Sequence, residues 1–208
     1  MTAQRATPPD PIAPWAEIVP NAPYPMTIDD LLAWPDNDGY IYELIEGVLV
    51  RVAGSGGKAT TIAIELAAEL RNYSRPRRLG LVTGADGVYV FPGAATGLLP
   101  DVGFYAAEKR GLITDPTKPL PFAPDLAIEV ASPKQTVDQM AAKARTYLDG
   151  GTRLVWVLWP GDERVDVWHA GRSVGPAAVL HSDDALDGET VLPGFSYPIA
   201  DIFADPLA

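Results

Sequence analysis

Apolar residues recur at helical spacing in two stretches of the chain. Ile62, Leu66, Ala67 and Leu70 mark an amphipathic helix over 60–73. A second helix is predicted over 135–148, stopped by Gly150-Gly151. A short helix over 28–34 starts at Thr27, whose side chain can cap it, with Asp29 and Asp30 in the first turn. The remaining pattern is strand-like. Residues 40–52 predict a β-hairpin turning at Glu46-Gly47. Strands over 79–83 and 87–91 flank an Asp86-Gly87 turn. Further strands are expected over 98–105, 124–133, 154–158 and 164–169, the last two joined across Pro160-Gly161-Asp162, with short strands and turns beyond. Residues 1–25 are rich in Pro and Ala without periodicity and read as an extended arm, either mobile or strapped over the surface. The expected fold is α/β (α+β): one domain over 26–208, a mixed sheet flanked by helices, with an N-terminal hairpin and additional C-terminal strands.

Composition narrows this picture. At 208 residues and 47% hydrophobic content, the chain can bury a core. No apolar run reaches transmembrane length, and the N-terminus lacks the apolar segment of a signal peptide, so a cytoplasmic protein without membrane contact is expected. The absence of cysteine removes disulfides and thiolate metal sites. A net charge of −11 argues against broad electrostatic binding to nucleic acid. Much of the excess lies after Arg172, where Asp183, Asp184, Asp187, Glu189, Asp201 and Asp205 face no Lys or Arg in sequence. A phosphate surface, if present, belongs to the earlier chain.

Candidate chemistry concentrates in three segments. In the strand PDLAIEVASP, alternation puts Leu126, Ile128 and Val130 on a core face. Asp125, Ala127, Glu129 and Ala131 take the other, where the small alanines leave room for an ion or substrate beside Glu129. Taken alone, Glu129 reads as a solvated strand carboxylate. Asp101, after Pro100, supplies a partner. Two carboxylates at ~4 Å repel by roughly 4 kcal/mol at an effective dielectric of about 20, a cost that a cation relieves. Hard oxygen ligands suit Mg²⁺ or Mn²⁺. On the following helix Gln139, Lys143 and Tyr147 share one stripe, and Lys143 can act as a fixed positive charge. As a lone helix lysine it would ordinarily snorkel to solvent. Lys134 is a competing cation, and Glu43 in YELIEG is a further carboxylate. Arg75, Arg77 and Arg78, with Arg71, form a cluster that either complements a helix C-terminus or contacts phosphate. The only histidines, His169 and His181, make neither a zinc site nor a Ser-His-Asp triad, and no P-loop is present. A two-carboxylate glycosidase would need an aromatic sugar cleft that the sequence does not display.

The order of these blocks resembles the Uma family of bacterial restriction-endonuclease-type proteins within the PD-(D/E)XK nuclease superfamily. The likeness runs through YELIEGVLV, the helix after the glycine loop, LPDVGFYAAEKR, APDLAIEVASP, KARTYLDGGTRLVWVLWP and VLPGFSYPIADIF. It implies a restriction-endonuclease-like fold with Asp101 as the acid of the "PD" element and Glu129 as that of the "(D/E)XK" element, both on a divalent ion. The lysine of that element would fall at Ala131, and Lys143 on the next helix takes its place. Glu43 matches an acid of the family hairpin. A histidine common after that hairpin is missing, with Lys58 nearby instead. The resemblance implies a Mg²⁺-dependent endonuclease cutting DNA, with Asp101, Glu129, Lys143 and Glu43 in catalysis. Gln139, Tyr147, Arg75, Arg77 and Arg78 are the candidates for substrate contact. A homodimer is expected, because cutting both strands ordinarily uses two sites. The alternatives are a catalytically silent nuclease fold that binds nucleic acid or protein, and an acidic structural domain.

Overall fold

In the computed structural model, which describes residues 13–35, 38–52, 54–171 and 175–205, the chain opens with a short strand, β1 (Glu17–Ile18), and helix α1 (Ile28–Leu32). Thr27 and Asp30 close α1 with a reciprocal capping box. The hairpin β2 (Ile41–Ile45) and β3 (Val48–Val52) follows. Its Glu46-Gly47 turn has positive φ at both residues, the geometry that matches the twist of paired strands. Helix α2 (Gly57–Arg77) leads to β4 (Gly80–Gly84), β5 (Tyr89–Val90), β6 (Gly97–Leu98) and β7 (Val102–Ala106). A 3-10 helix over Ala107–Leu112 precedes β8 (Leu126–Val130), α3 (Val137–Asp149), β9 (Leu154–Trp159) and β10 (Arg164–His169). The chain then adds β11 (Ala178–Leu180), β12 (Ala185–Asp187), β13 (Ser196–Pro198) and α4 (Ile199–Phe203).

Two sheets and a two-stranded ribbon result. The larger sheet has the order β11-β10-β9-β8-β7-β4 and the smaller β1-β3-β2-β6-β5, while β12 and β13 pair with each other. Only β8 and β9 run parallel in the larger sheet, and α3 is the crossover between them. The architecture is the mixed α/β arrangement expected from the sequence.

Strand β8 is buried on both faces, which corrects the single core face inferred from its alternation. Leu126, Ile128 and Val130 pack with Ile62, Leu66 and Leu70 of α2 and with α4. On the opposite face, Ala127 and Ala131 pack with Met140, Ala144 and Tyr147 of α3 and with Val50 of the hairpin. The room beside Ala127 is filled by α3, because a small side chain lets a helix approach closely. Each buried Leu or Ile contributes about 1.5–3 kcal/mol, so β8 is anchored from both sides.

Other boundaries moved as well. Helix α2 extends over 21 residues, beyond the predicted 60–73. The strand expected over 98–105 is broken at Pro100-Asp101, and its two parts join different sheets. The strands around Asp86-Gly87 do not form a hairpin: β4 pairs with β7 and β5 with β6, so the turn carries the chain from one sheet to the other. Of the predicted arm, residues 1–12 lie outside the described residues. The rest is a packed strap, with Ala13 and Trp15 buried and β1 paired to β3. No helix among the described residues is long and apolar enough to cross a membrane.

Candidate active site

The pairing of β7 with β8 sets Val102 opposite Ile128. Extending that antiparallel register by one step puts Asp101 opposite Glu129, on the same side of the sheet. Pro100 has no N–H for the ladder, and the strand breaks there. The Asp101 carboxylate completes the interrupted ladder, its Oδ2 accepting the Val130 N–H at 2.8 Å. Among the described residues, its Oδ1 accepts a hydrogen bond only from the Ser55 hydroxyl, at 3.4 Å. Ser55 comes from the glycine loop ahead of α2.

Helix α3 brings its stripe down onto Glu129. Thr136 caps the helix and Gln139 answers in a second capping box, which fixes the first turn. Two turns on, the Lys143 ammonium donates to Glu129 Oε2 at 3.0 Å and lies 3.3 Å from Glu43 Oε1. The Tyr147 hydroxyl donates to Glu129 Oε1 at 2.7 Å. Glu43, on β2, is fully buried and also accepts the Leu99 N–H at 3.2 Å. Trp15 of the strap approaches its other oxygen at 3.5 Å.

Two carboxylates therefore pair with one ammonium, Asp101 adds its charge from nearby, and the cluster is short of positive charge. Burial pushes the Glu129 carboxyl up to about 8, against the pull of Lys143. Burial also raises Asp101, opposed by its Val130 hydrogen bond. For Lys143 burial acts downward, but the charges of Glu129 and Glu43 outweigh it and hold the ammonium above the ordinary lysine range. Tyr147 is held well above the ordinary phenol range by burial and by Glu129. A cleft of about 280 Å³ opens onto Asp101, Glu129 and Lys143, with Gln139, Lys134 and Trp15 at its sides.

The donor set fits a hard divalent cation. Asp101 and Glu129 present oxygen ligands to one cleft, and the charge deficit favours a cation over a neutral guest. Among the described residues no three acidic or imidazole groups gather into a metal cage. A cation here would take two carboxylates from the protein and keep open positions.

The chain belongs to the Uma2 family. The profile of that family, described as "Putative restriction endonuclease", matches residues 28–200. Among solved structures, a protein from Anabaena variabilis titled "putative nuclease belonging to DUF820" has the same fold. It superposes with a TM-score of 0.71 at 21% identity, covering 86% of this chain and 98% of its own. No curated protein matches the chain. Of the sequence-nominated residues, Asp101, Glu129 and Lys143 line one cleft, and Glu43 is buried behind it, paired to Lys143.

The other nominated residues are placed differently. Gln139 lines the cleft but is committed to the strap, its amide donating to Pro14 O at 2.7 Å. Tyr147 is fully buried behind Glu129. Lys134 lies on the cleft wall, whereas Lys58 sits at the start of α2 and donates to Pro160 O at 3.2 Å. Arg75, Arg77 and Arg78 lie at the far end of α2, about 27 Å along the axis from Gly57. Arg77 stacks on Tyr73 at 4.0 Å and donates to its carbonyl, and Arg78 is the left-handed C-cap residue. The arginine cluster and the carboxylate cleft thus do not converge on one phosphate. Sequence reasoning missed Ser55, Trp15 and the Leu99 N–H. Ser55 was readable only as part of a flexible GSGG connector, and Trp15 only as part of an unpatterned arm.

Proposed function

We propose that this protein is a Mg²⁺- or Mn²⁺-dependent endonuclease that hydrolyses DNA phosphodiesters at the Asp101–Glu129–Lys143 cleft. The observation that carries the reading is the convergence of two carboxylates and a buried lysine from strand end, strand and helix, with net negative charge, on a solvent-open cleft. Membership in the Uma2 family supports the same reaction class. In hydrolysis, water attacks phosphorus, the P–O bond to the leaving oxygen breaks, and that oxygen takes a proton.

Asp101 and Glu129 would hold the ion, which supplies Lewis-acid polarisation of the phosphoryl group and acidification of water. Lys143 has three N–H donors, of which one goes to Glu129 and another faces Glu43. Among the described residues it makes no other hydrogen bond or ion pair, which leaves a donor for an oxygen in the cleft. Its fixed charge stabilises the negative charge that grows on the phosphoryl oxygens. Glu43 and Tyr147 are positioning residues that hold the ammonium and the Glu129 carboxylate in register. Cutting both strands calls for a homodimer with two such clefts, and a cytoplasmic location accords with a DNA substrate.

A second reading has its own observation. Both Glu129 oxygens already carry protein partners, so the cluster can stand as a closed ion pair in a catalytically silent fold that binds nucleic acid or protein. Cleavage of supercoiled plasmid with Mg²⁺ or Mn²⁺ separates the two. Asp101→Asn and Lys143→Met are each expected to reduce nicking by at least about 10²-fold. Calorimetry should register Mn²⁺ on the wild type and on Lys143→Met, and lose it in Asp101→Asn/Glu129→Gln. Binding of DNA without any cleavage would establish the silent fold instead.

A further inference from the structure

Beside the carboxylate cleft lies a larger cavity of about 780 Å³, with no role so far. It is enclosed by the start of α2, by residues 131–133 with the start of α3, and by the β9–β10 turn. Ser132 and Gln135 line both this cavity and the carboxylate cleft, so the two are neighbours. Ser132 is three residues beyond Glu129, about 10 Å along an extended chain. An occupant of the cavity is therefore within reach of a nucleotide whose phosphate sits at Glu129.

The walls suggest the chemistry of that occupant. Ala131, Pro133, Val137, Trp159 and Pro160 make them mainly apolar, and the volume falls in the range of small-molecule sites. The polar side chains of the lining are Lys58, Ser132, Gln135, Thr136 and Asp162. Gln135 Oε1 accepts the Ser132 N–H at 2.7 Å, and since an N–H requires an acceptor, this fixes the amide orientation. The Gln135 Nε2 group has no partner among the described residues and stands at the junction of the two cavities. At the rim, Lys58 donates to Pro160 O and the first turn of α3 is capped by Thr136 and carries Asp138, while the start of α2 has no side-chain cap. A flat heteroaromatic ring with acceptors on its edge matches apolar walls with N–H and O–H donors at the rim, the Gln135 amide among them.

Resting on the nuclease reading, we propose that this cavity receives an unstacked base of the DNA strand held at the carboxylate cleft, with Gln135 Nε2 donating to the base. The active site would then bind a nucleotide rather than a phosphate alone.

Calorimetry of the intact protein with Mn²⁺ tests this with two probes, deoxyadenosine 5′-monophosphate and deoxyribose 5-phosphate. The nucleotide is expected to bind at least tenfold more tightly. A Cβ added at Gly161 meets no atom within 4 Å, so Gly161→Tyr can fill the cavity without backbone strain. It should abolish the tenfold preference and leave sugar-phosphate affinity in place. Val137→Trp, at a half-exposed wall position, provides a second filling variant should the first melt early. Gln135→Glu keeps the acceptor for Ser132 while removing the donor, and should cut the preference without lowering the melting temperature. Equal affinity for the two probes, or a preference unchanged in both filling variants, overturns the base pocket even where plasmid cleavage is intact. Failure of either probe to bind, together with absence of plasmid nicking, removes the nuclease reading and the pocket with it.

Discussion

Lys143 carries more electrostatic responsibility than any other side chain of the site. It is the sole ammonium within salt-bridge reach of Glu129 and Glu43 among the described residues. The remaining imbalance has a consequence for pH. Glu129 and Asp101 are both raised by burial, so the folded state holds their protons more tightly than the unfolded chain does. The stability they contribute is complete below the ordinary carboxylate range and is lost as pH climbs through about 8 for Glu129. Melting temperature in metal-free buffer should therefore fall between pH 5 and pH 8.5, by the equivalent of up to a few kcal/mol. Added Mn²⁺ should restore it most at the alkaline end, where the cation no longer competes with a proton. A melting curve indifferent to pH, with or without Mn²⁺, would contradict this account. The identities of Asp101, Glu129, Lys143 and Glu43 as site candidates were legible in the sequence. The burial of Lys143 was not, because it depends on Glu43, a hundred residues earlier, and on the close approach of α3 to Ala127 of β8.

At the level of elements, the site is as rigid as the start of α3. Thr136→Ala removes one half of the capping box and should destabilise the fold by about 1 kcal/mol, read by urea denaturation. Thr136→Ser should recover most of that loss, since the hydroxyl is the capping group. Helix α3, the β2–β3 hairpin and the β9–β10 pair were readable from periodicity and turn residues. The division of β4 through β7 between two sheets was not. A turn such as Asp86-Gly87 reads the same whether its strands pair with each other or with distant partners, and only tertiary contacts choose. The alternation of β8 identified a real core face but could not reveal that the other face is covered as well.

Over the whole molecule, the two sheets meet where Tyr89 of the smaller one hydrogen-bonds Thr83 of the larger at 2.8 Å. Gly103 lies directly against this contact: a Cβ there would come within 2.5 Å of the Tyr89 hydroxyl and 2.7 Å of Thr83 Oγ1. Gly103→Ala should cost about 1–3 kcal/mol by overpacking, with partial relief from Tyr89→Phe in the same chain. A Gly103→Ala variant as stable as the parent would mean that the sheets are not held apart at this point. The charge of the molecule also limits how it can hold DNA. With a net charge of −11 and its arginine cluster remote from the cleft, few counterions can be released on binding. The slope of log affinity against log salt should stay shallower than about −3 in fluorescence anisotropy titrations. A slope near −8 would require a basic surface that the described residues lack.

The strap that meets Glu43 and Gln139 also sets an order of events during synthesis. Gln139, which holds Pro14, leaves the ribosome 125 residues after it. Domains ordinarily begin to fold as they emerge. Here the wall of the cleft waits for α3, so a nascent chain that stops short of this helix has no finished site. The cleft would take its shape only once the chain through α3 has emerged.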